Sequence, residues 1–260
     1  MIRRVVLIGS GNVAESLAQA IAAHPELSLI QLYARNAERG AAVATLAHCP
    51  HTANPEELDR TADLYLLSVS DRAVEEVAHT LPIPREAIVA HTAGSVPMDA
   101  LLPYARRAIL YPFQGFSAGR RIDLQDVPLF LEAAEEAVLE ELKPFAALLS
   151  RQVYEADSER RKRIHLAGVI ANNFVNQLYA AATDLLHDVE LPYEVLKPLI
   201  RETALKALDA EHPARVQTGP AKRGDRPTQE RHLALLGEKP ELKTIYELIS
   251  QLIWETSKKI

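Results

Sequence analysis

No two cysteines can pair in this chain, because Cys49 is the only one. An internal disulfide is excluded, and a reducing, cytoplasmic setting is the expectation. Cys49 itself stands beside Pro50 in no recognised metal-ligand or thiol-nucleophile spacing, which gives it a structural role. Long apolar runs are missing too: none approaches the roughly 20 residues of a membrane-spanning helix. Arg3-Arg4 precedes an apolar run, Val5 to Ile8, that is too short for a signal peptide and stops at glycine. There is no basic surplus, since 29 Lys and Arg face 35 Asp and Glu for a net charge of −6. Neither nucleic acid nor an anionic membrane is expected as a partner. The HExxH and G-x-S-x-G patterns are absent as well, which disfavours metal-assisted and serine hydrolysis and leaves no metal site in view. What remains is 260 residues, 48% of them apolar, enough for one large domain or two ordinary ones.

The chain is organised around Val5-Val6-Leu7-Ile8-Gly9-Ser10-Gly11-Asn12-Val13-Ala14. An apolar strand ends in a glycine turn that opens directly into a helical run, Glu15 to Ala22. The spacing Gly9-x-Gly11-x-x-Ala14 matches the dinucleotide fingerprint, in which the first glycine makes the turn and the second lets a pyrophosphate approach. Ser10, Asn12 and Val13 complete the expected phosphate cradle at the positive end of the helix.

Leu27 to Tyr33 reads as the second strand and ends at Ala34-Arg35-Asn36. An NAD site would place an acid at this tip to hold the ribose hydroxyls. Arg35 stands there instead, with Arg39 one turn on, and a guanidinium suits a ribose 2′-phosphate, so the expected cofactor is NADP. Asn36 caps a helix to Ala47, and His51 to Arg60 reads as a connection. Further apolar strands at Leu64 to Val69, Ala87 to Ala90 and Arg107 to Leu110 alternate with helices, and Pro128 marks Val127 to Leu131 as an edge strand. A helix from Ala133 to Leu149 and a short strand, Gln152 to Tyr154, follow. This alternation predicts an α/β fold, a Rossmann-type doubly wound and mainly parallel sheet, over residues 1–156. Its strand tips carry Ser68 and Ser70, then His91, Thr92 and Gly94, then Tyr111 and Gln114, all converging on the cofactor crevice.

From Asp157 the strand signal stops, and residues 157–260 read as an all-α domain. Arg160-Arg161-Lys162-Arg163 reads as a solvated face. Long helices are expected over 157–187, 193–208 and 241–258, the last with Leu242, Ile245, Tyr246, Ile249, Leu252 and Ile253 as a stripe for burial against other helices. At 100° per residue His165, Asn172, Asn176, Thr183 and His187 share a narrow polar arc, either a substrate face or a buried polar layer or dimer contact. Thr218 to Asp225 reads as a glycine-bracketed loop presenting Arg223 to an anionic group, or as a solvated loop. His232 on the following helix reads as an acid or base near neutral pH or, as for most lone helical histidines, as structural.

Together, Gly9 to Ala14, Leu67-Ser68-Val69-Ser70-Asp71, His91-Thr92-Ala93-Gly94-Ser95, Tyr111-Pro112-Phe113-Gln114, His165-Leu166-Ala167 with Asn172-Asn173-Phe174, and Gly219 to Asp225 resemble the Rossmann-like proteins that carry a DUF2520 helical domain. Those proteins are provisionally described as NADP oxidoreductases and are similar to the 6-phosphogluconate dehydrogenase-like superfamily, with its ketopantoate and pyrroline-5-carboxylate reductases. The resemblance implies a helical C-terminal domain that builds a homodimer and closes over the nicotinamide. Related hydroxyacid dehydrogenases place a proton-donating lysine four residues before an asparagine on the first long helix, whereas here Gly168 and Val169 occupy those positions. His165 is then the expected proton donor, with Asn173 and Arg223 positioning substrate and His91, Thr92 and Gly94 near the nicotinamide. The expected activity is hydride transfer between NADPH and a small anionic carbonyl or imine compound. The alternative is a non-catalytic NADP-binding protein that acts through dimer contacts.

Overall fold

The computed structural model describes residues Met1–Ile260, all of the chain. Eight strands form one sheet: β1 (Arg4–Ile8), β2 (Ser28–Tyr33), β3 (His51–Thr52), β4 (Leu64–Leu67), β5 (Ile88–His91), β6 (Arg107–Pro112), β7 (Leu129–Ala133) and β8 (Val153–Glu155). Their order is β3-β2-β1-β4-β5-β6-β7-β8, and every neighbouring pair is parallel except β6 with β7. The order reverses between β1 and β4, which opens the crevice where such sheets bind ligands.

Because side chains alternate along a strand, the central strands must be apolar on both faces to be covered by helices on both sides. Leu7 of β1 and Leu66 of β4 enter one core cluster with Leu17 and Ile21 of helix α1 (Asn12–Ala23). Val6 and Ile8, with Tyr65 and Leu67, enter the other with Val77 of helix α3 (Val74–Thr80). Helix α2 (Ala37–Leu46) starts where Asn36 accepts the Arg39 amide at 2.9 Å. Helix α4 (Glu136–Leu149) packs Leu142, Phe145 and Ala146 on the α1 side.

Two expectations for the sheet change. β7 is an interior strand between β6 and β8, not an edge, because it begins at Leu129 and leaves Pro128 outside the ladder. Within the 51–60 connection, His51–Thr52 adds a two-residue strand on β2.

The chain divides into two compact units, Met1–Asn173 and Phe174–Ile260. The division falls later than the 156/157 boundary expected from the sequence. Helix α5 (Ser158–Gly168) begins there, capped by Asp157, which accepts the Arg160 amide at 2.7 Å, but it stays with the sheet. The reason is Arg161, which is fully buried rather than solvated like its neighbours in the basic run. It pairs with Glu132 of β7 and donates to the Val96 carbonyl at 2.6 Å. A π turn, Val169–Phe174, follows α5, so one extra residue enters the helix and everything beyond is set back by about 100°. The polar arc is therefore broken, and Thr183 turns its hydroxyl to the Tyr179 carbonyl at 2.8 Å.

The second unit holds α6 (Val175–His187), α7 (Lys197–Asp209), the single turn α8 (Pro220–Arg223), α9 (Arg226–Leu235) and α10 (Pro240–Ser257). Asp225 caps α9 through the Thr228 amide at 3.2 Å, and His232 pairs with the Tyr246 hydroxyl at 2.8 Å. The α10 stripe is not buried within the chain: Ile245, Ile249 and Leu252 are exposed, and no residue of α10 is fully covered. No helix is long and apolar enough to cross a membrane.

Candidate active site

At the reversal point the tips of β1 and β4 touch. Gly9 has φ +126°, and a Cβ there would lie 2.1 Å from the Ser68 carbonyl oxygen, so only glycine lets the two strands end side by side. Around this contact lies a cleft of about 660 Å³. Gly11 borders it with nothing within 4 Å of where a Cβ would be, and it caps α1 without any side-chain acceptor. The first-turn amides of α1 are thus open to an anion, which is the requirement for a pyrophosphate. Asn12 also ties the turn to the loop after β6, donating through Nδ2 to the Phe116 carbonyl at 3.3 Å.

The two arginines near the β2 tip have different environments. Arg39 is engaged, donating to the Ser10 carbonyl at 3.1 Å and pairing with Glu15, so it braces the glycine turn. Arg35 lines the cleft and has only an exposed ion pair with Glu76 at 3.5 Å, a pairing worth little in water. Of the two, Arg35 is the one available to a 2′-phosphate, and no carboxylate stands at the strand tip in its place.

Ser68, Ser70, Thr92 and Gly94 line the cleft with Ser10, Asn12 and Val13. The Thr92 hydroxyl donates to Ser68 Oγ at 3.3 Å, which joins the β4 and β5 tips. His91 does not face the cleft. It is buried, its Nδ1 accepts from the Ala93 amide at 3.2 Å, and its Nε2 meets the Pro97 carbonyl at 3.4 Å, so it shapes the loop that carries Thr92 and Gly94. Burial, reinforced by the positive charge of Arg161, pushes its pKa down to about 4, which makes it a neutral framework residue.

His165 lines the same cleft from α5, with Nδ1 3.1 Å from the Tyr111 hydroxyl. Asn172, in the π turn, packs against Gly115 of the loop after β6, while Asn173 is exposed and outside the cleft lining. Arg223 belongs to the second unit, where it is exposed and borders a cleft of about 430 Å³ with Trp254, Glu247 and Gln251. Sequence reasoning gave no role to Asp71, which also lines the main cleft and accepts the Ser95 hydroxyl, and it missed the burial of Arg161. A strand-tip aspartate beside the noted serines was visible, whereas nothing local distinguishes Arg161 from Arg160 or Arg163.

The model of an oxidoreductase family with an NAD-binding Rossmann fold matches residues 3–82, and that of the domain of unknown function DUF2520 matches residues 127–253. No curated protein matches the chain significantly. Among solved structures, a Bacteroides fragilis protein provisionally described as an NADP oxidoreductase is 38% identical over 98% of both chains, with a TM-score of 0.89. A Streptomyces aurantiacus imine reductase shares the fold at 13% identity, with a TM-score of 0.68 over 99% of this chain and 95% of its own. A pyrroline-5-carboxylate reductase of Coxiella burnetii does so at 15% identity and 0.59, over 100% and 98%. The glycine turn, the strand order and the near full-length similarity to the Bacteroides protein agree: this chain belongs to the family that joins an NAD(P)-binding oxidoreductase Rossmann domain to a DUF2520 domain.

Proposed function

We propose that the protein is an NADP-dependent reductase acting on a small anionic carbonyl or imine compound. The observation that carries this reading is that the open amides of α1, the exposed guanidinium of Arg35 and the imidazole of His165 all border one cleft. The cofactor supplies the hydride when bound. Gly9, Ser10, Gly11, Asn12 and Val13 hold its pyrophosphate, Arg35 its 2′-phosphate, and Ser68 and Ser70 flank its ribose. Thr92 and Gly94 lie toward the nicotinamide, and His91 acts beneath them as a support.

His165 donates the proton that the reduced oxygen or nitrogen needs, since no lysine stands at Gly168 or Val169. Asn173 and Arg223, expected from the sequence to position the substrate, do not border this cleft, Arg223 lining a separate one in the second unit, so neither is assigned to the reaction. A second copy of the chain is the proposed partner of the helical unit, because Leu199, Leu208, Leu235, Leu248 and Leu252 are all exposed there. The reaction is assigned to the cytoplasm, where a chain with one cysteine needs no oxidation to fold.

The test is to titrate the protein with NADPH and NADH, then to follow NADPH oxidation with a panel of 2-oxo acids and cyclic imines. Tight NADPH binding with turnover of at least one compound is expected, and His165→Ala lowers that turnover by about 10²-fold or more while leaving NADPH affinity in place. Binding without turnover of any compound favours a regulatory NADP-binding protein instead. No binding of either cofactor sinks both readings.

A further inference from the structure

Three elements meet at the Tyr111 hydroxyl. β6 carries Tyr111, α5 carries His165, and the loop after β5 lays Gly94 across the pair. A Cβ at Gly94 would stand 2.6 Å from His165 Nδ1 and 2.8 Å from Tyr111 Cζ, so the hydrogen bond between the two rings is covered by bare backbone. The Tyr111 ring is fixed in turn by Phe113 and Phe130, with centroids at 6.2 and 6.3 Å.

The charged groups that act on Tyr111 are Asp71, after β4, and Arg161, one turn before His165 on α5; His91 of β5 is neutral. Burial first, then the Asp71 carboxylate, pushes the Tyr111 phenol up to about 12, so it keeps its proton throughout the neutral range. The phenol hydrogen can be donated to a bare Nδ1, and a ring held in that way carries its own hydrogen on Nε2. If the ring gains a second proton, the same hydroxyl rotates and accepts from Nδ1–H. A carbonyl or carboxylate pairs with the Nδ1–H form alone, whereas a hydroxyl serves both.

We propose that Tyr111 is a positioning residue that holds His165 by Nδ1 in either protonation state, thereby making Nε2 the nitrogen that exchanges a proton in the cleft. The proton step rests on the reductase reading; the tautomer rests on the 3.1 Å contact of Nδ1 with a phenol that keeps its proton. In that step hydride adds to the carbon of the C=O or C=N bond, leaving the oxidised cofactor. The oxygen or nitrogen takes the Nε2 proton of the imidazolium. That leaves the ring transiently with hydrogen on Nδ1, donating to the phenol oxygen. Solvent returns a proton to Nε2, and the ring then sheds hydrogen from Nδ1 to solvent, reaching its resting neutral form and accepting from the phenol again.

The experiment is nitrogen-15 NMR of histidine-labelled full-length protein saturated with NADP⁺, the His165 signals being assigned by their loss in His165→Gln. Above the ring's titration the wild type is expected to show Nε2 protonated and Nδ1 bare and hydrogen-bonded. In Tyr111→Phe, which keeps the packed ring, the tautomers mix. A wild-type ring with hydrogen on Nδ1, or a Tyr111→Phe spectrum indistinguishable from wild type, overturns the proposal. If Tyr111→Phe does not fold, the wild-type tautomer alone decides. In parallel, NADPH oxidation with pyruvate and 1-pyrroline as probes is expected to fall about tenfold or more in Tyr111→Phe, with its pH profile displaced. A loss of rate with an unmoved pH profile marks a merely structural role and overturns the proposal. Absence of oxidation with every probe in the wild type fails the reductase reading, while the NMR result still decides the tautomer.

Discussion

Leu66 on β4 and Leu252 on α10 are the same side chain in opposite circumstances, 0% and 63% exposed. Leu66 belongs to a sheet whose strands present apolar residues on both faces to helices of the same chain, and each finds its cover there. Leu252 belongs to a helix with a well-formed apolar stripe whose members remain open or half covered. In the helical unit the only buried hydrophobic residues are Ala221 and Leu236. The first unit is therefore stabilised from within, and the second carries apolar surface that the chain itself leaves open.

Paired substitutions test that difference with the largest expected effect. Leu66→Ala removes a fully packed side chain and should cost about 2–5 kcal/mol of unfolding free energy. The loss, read from denaturant melts, should be the same at low and high protein concentration. Leu252→Arg should leave the first unit's melting and NADPH binding unchanged but abolish self-association, measured by sedimentation. If Leu252→Arg sediments like the wild type, the second copy does not cover this stripe.

The same contrast explains what the sequence makes legible. The glycine turn, the Asn36 cap and the apolar strands alternating with helices are local signals, each decided within a few residues, and each appears near where the pattern puts it. His91 is decided by its burial inside the sheet, and Arg161 by partners far along the chain. Arg161 is buried because Glu132, on β7, and the Val96 carbonyl receive it, and nothing in Arg160 to Arg163 distinguishes it. The π turn is invisible to a reading that assumes 3.6 residues per turn, so the polar arc beyond Asn172 was an artefact of that period. A helical stripe likewise reports that a face is apolar without saying what covers it.

Acid should act first on the sheet unit. With a folded pKa near 4 against an ordinary 6.5, His91 binds fewer protons folded than unfolded across that interval. Stability therefore rises with pH between about 4 and 6.5 and falls on acidification, by up to about 3 kcal/mol if the whole shift is expressed. Denaturant melts of the wild type and of His91→Asn between pH 7.5 and 4 should show the variant less stable at neutral pH but flatter with pH. Parallel slopes for the two proteins would remove His91 as the source.

The smallest expected effect lies at the cleft's rim, where Arg35 is exposed and its partner Glu76 is solvated. Removing the guanidinium there costs no packing, so Arg35→Asp should melt like the wild type. Its consequence is confined to recognition. A charge-assisted pair with the 2′-phosphate is lost and a repulsion gained, while NADH, with free ribose hydroxyls, gains an acceptor where NAD-binding folds carry one. NADPH affinity should drop by about tenfold or more, and NADH affinity should hold or improve. Isothermal titration of both cofactors separates this from general damage, since an equal loss for the two would mean that Arg35 shapes the β2 tip instead of reading the phosphate.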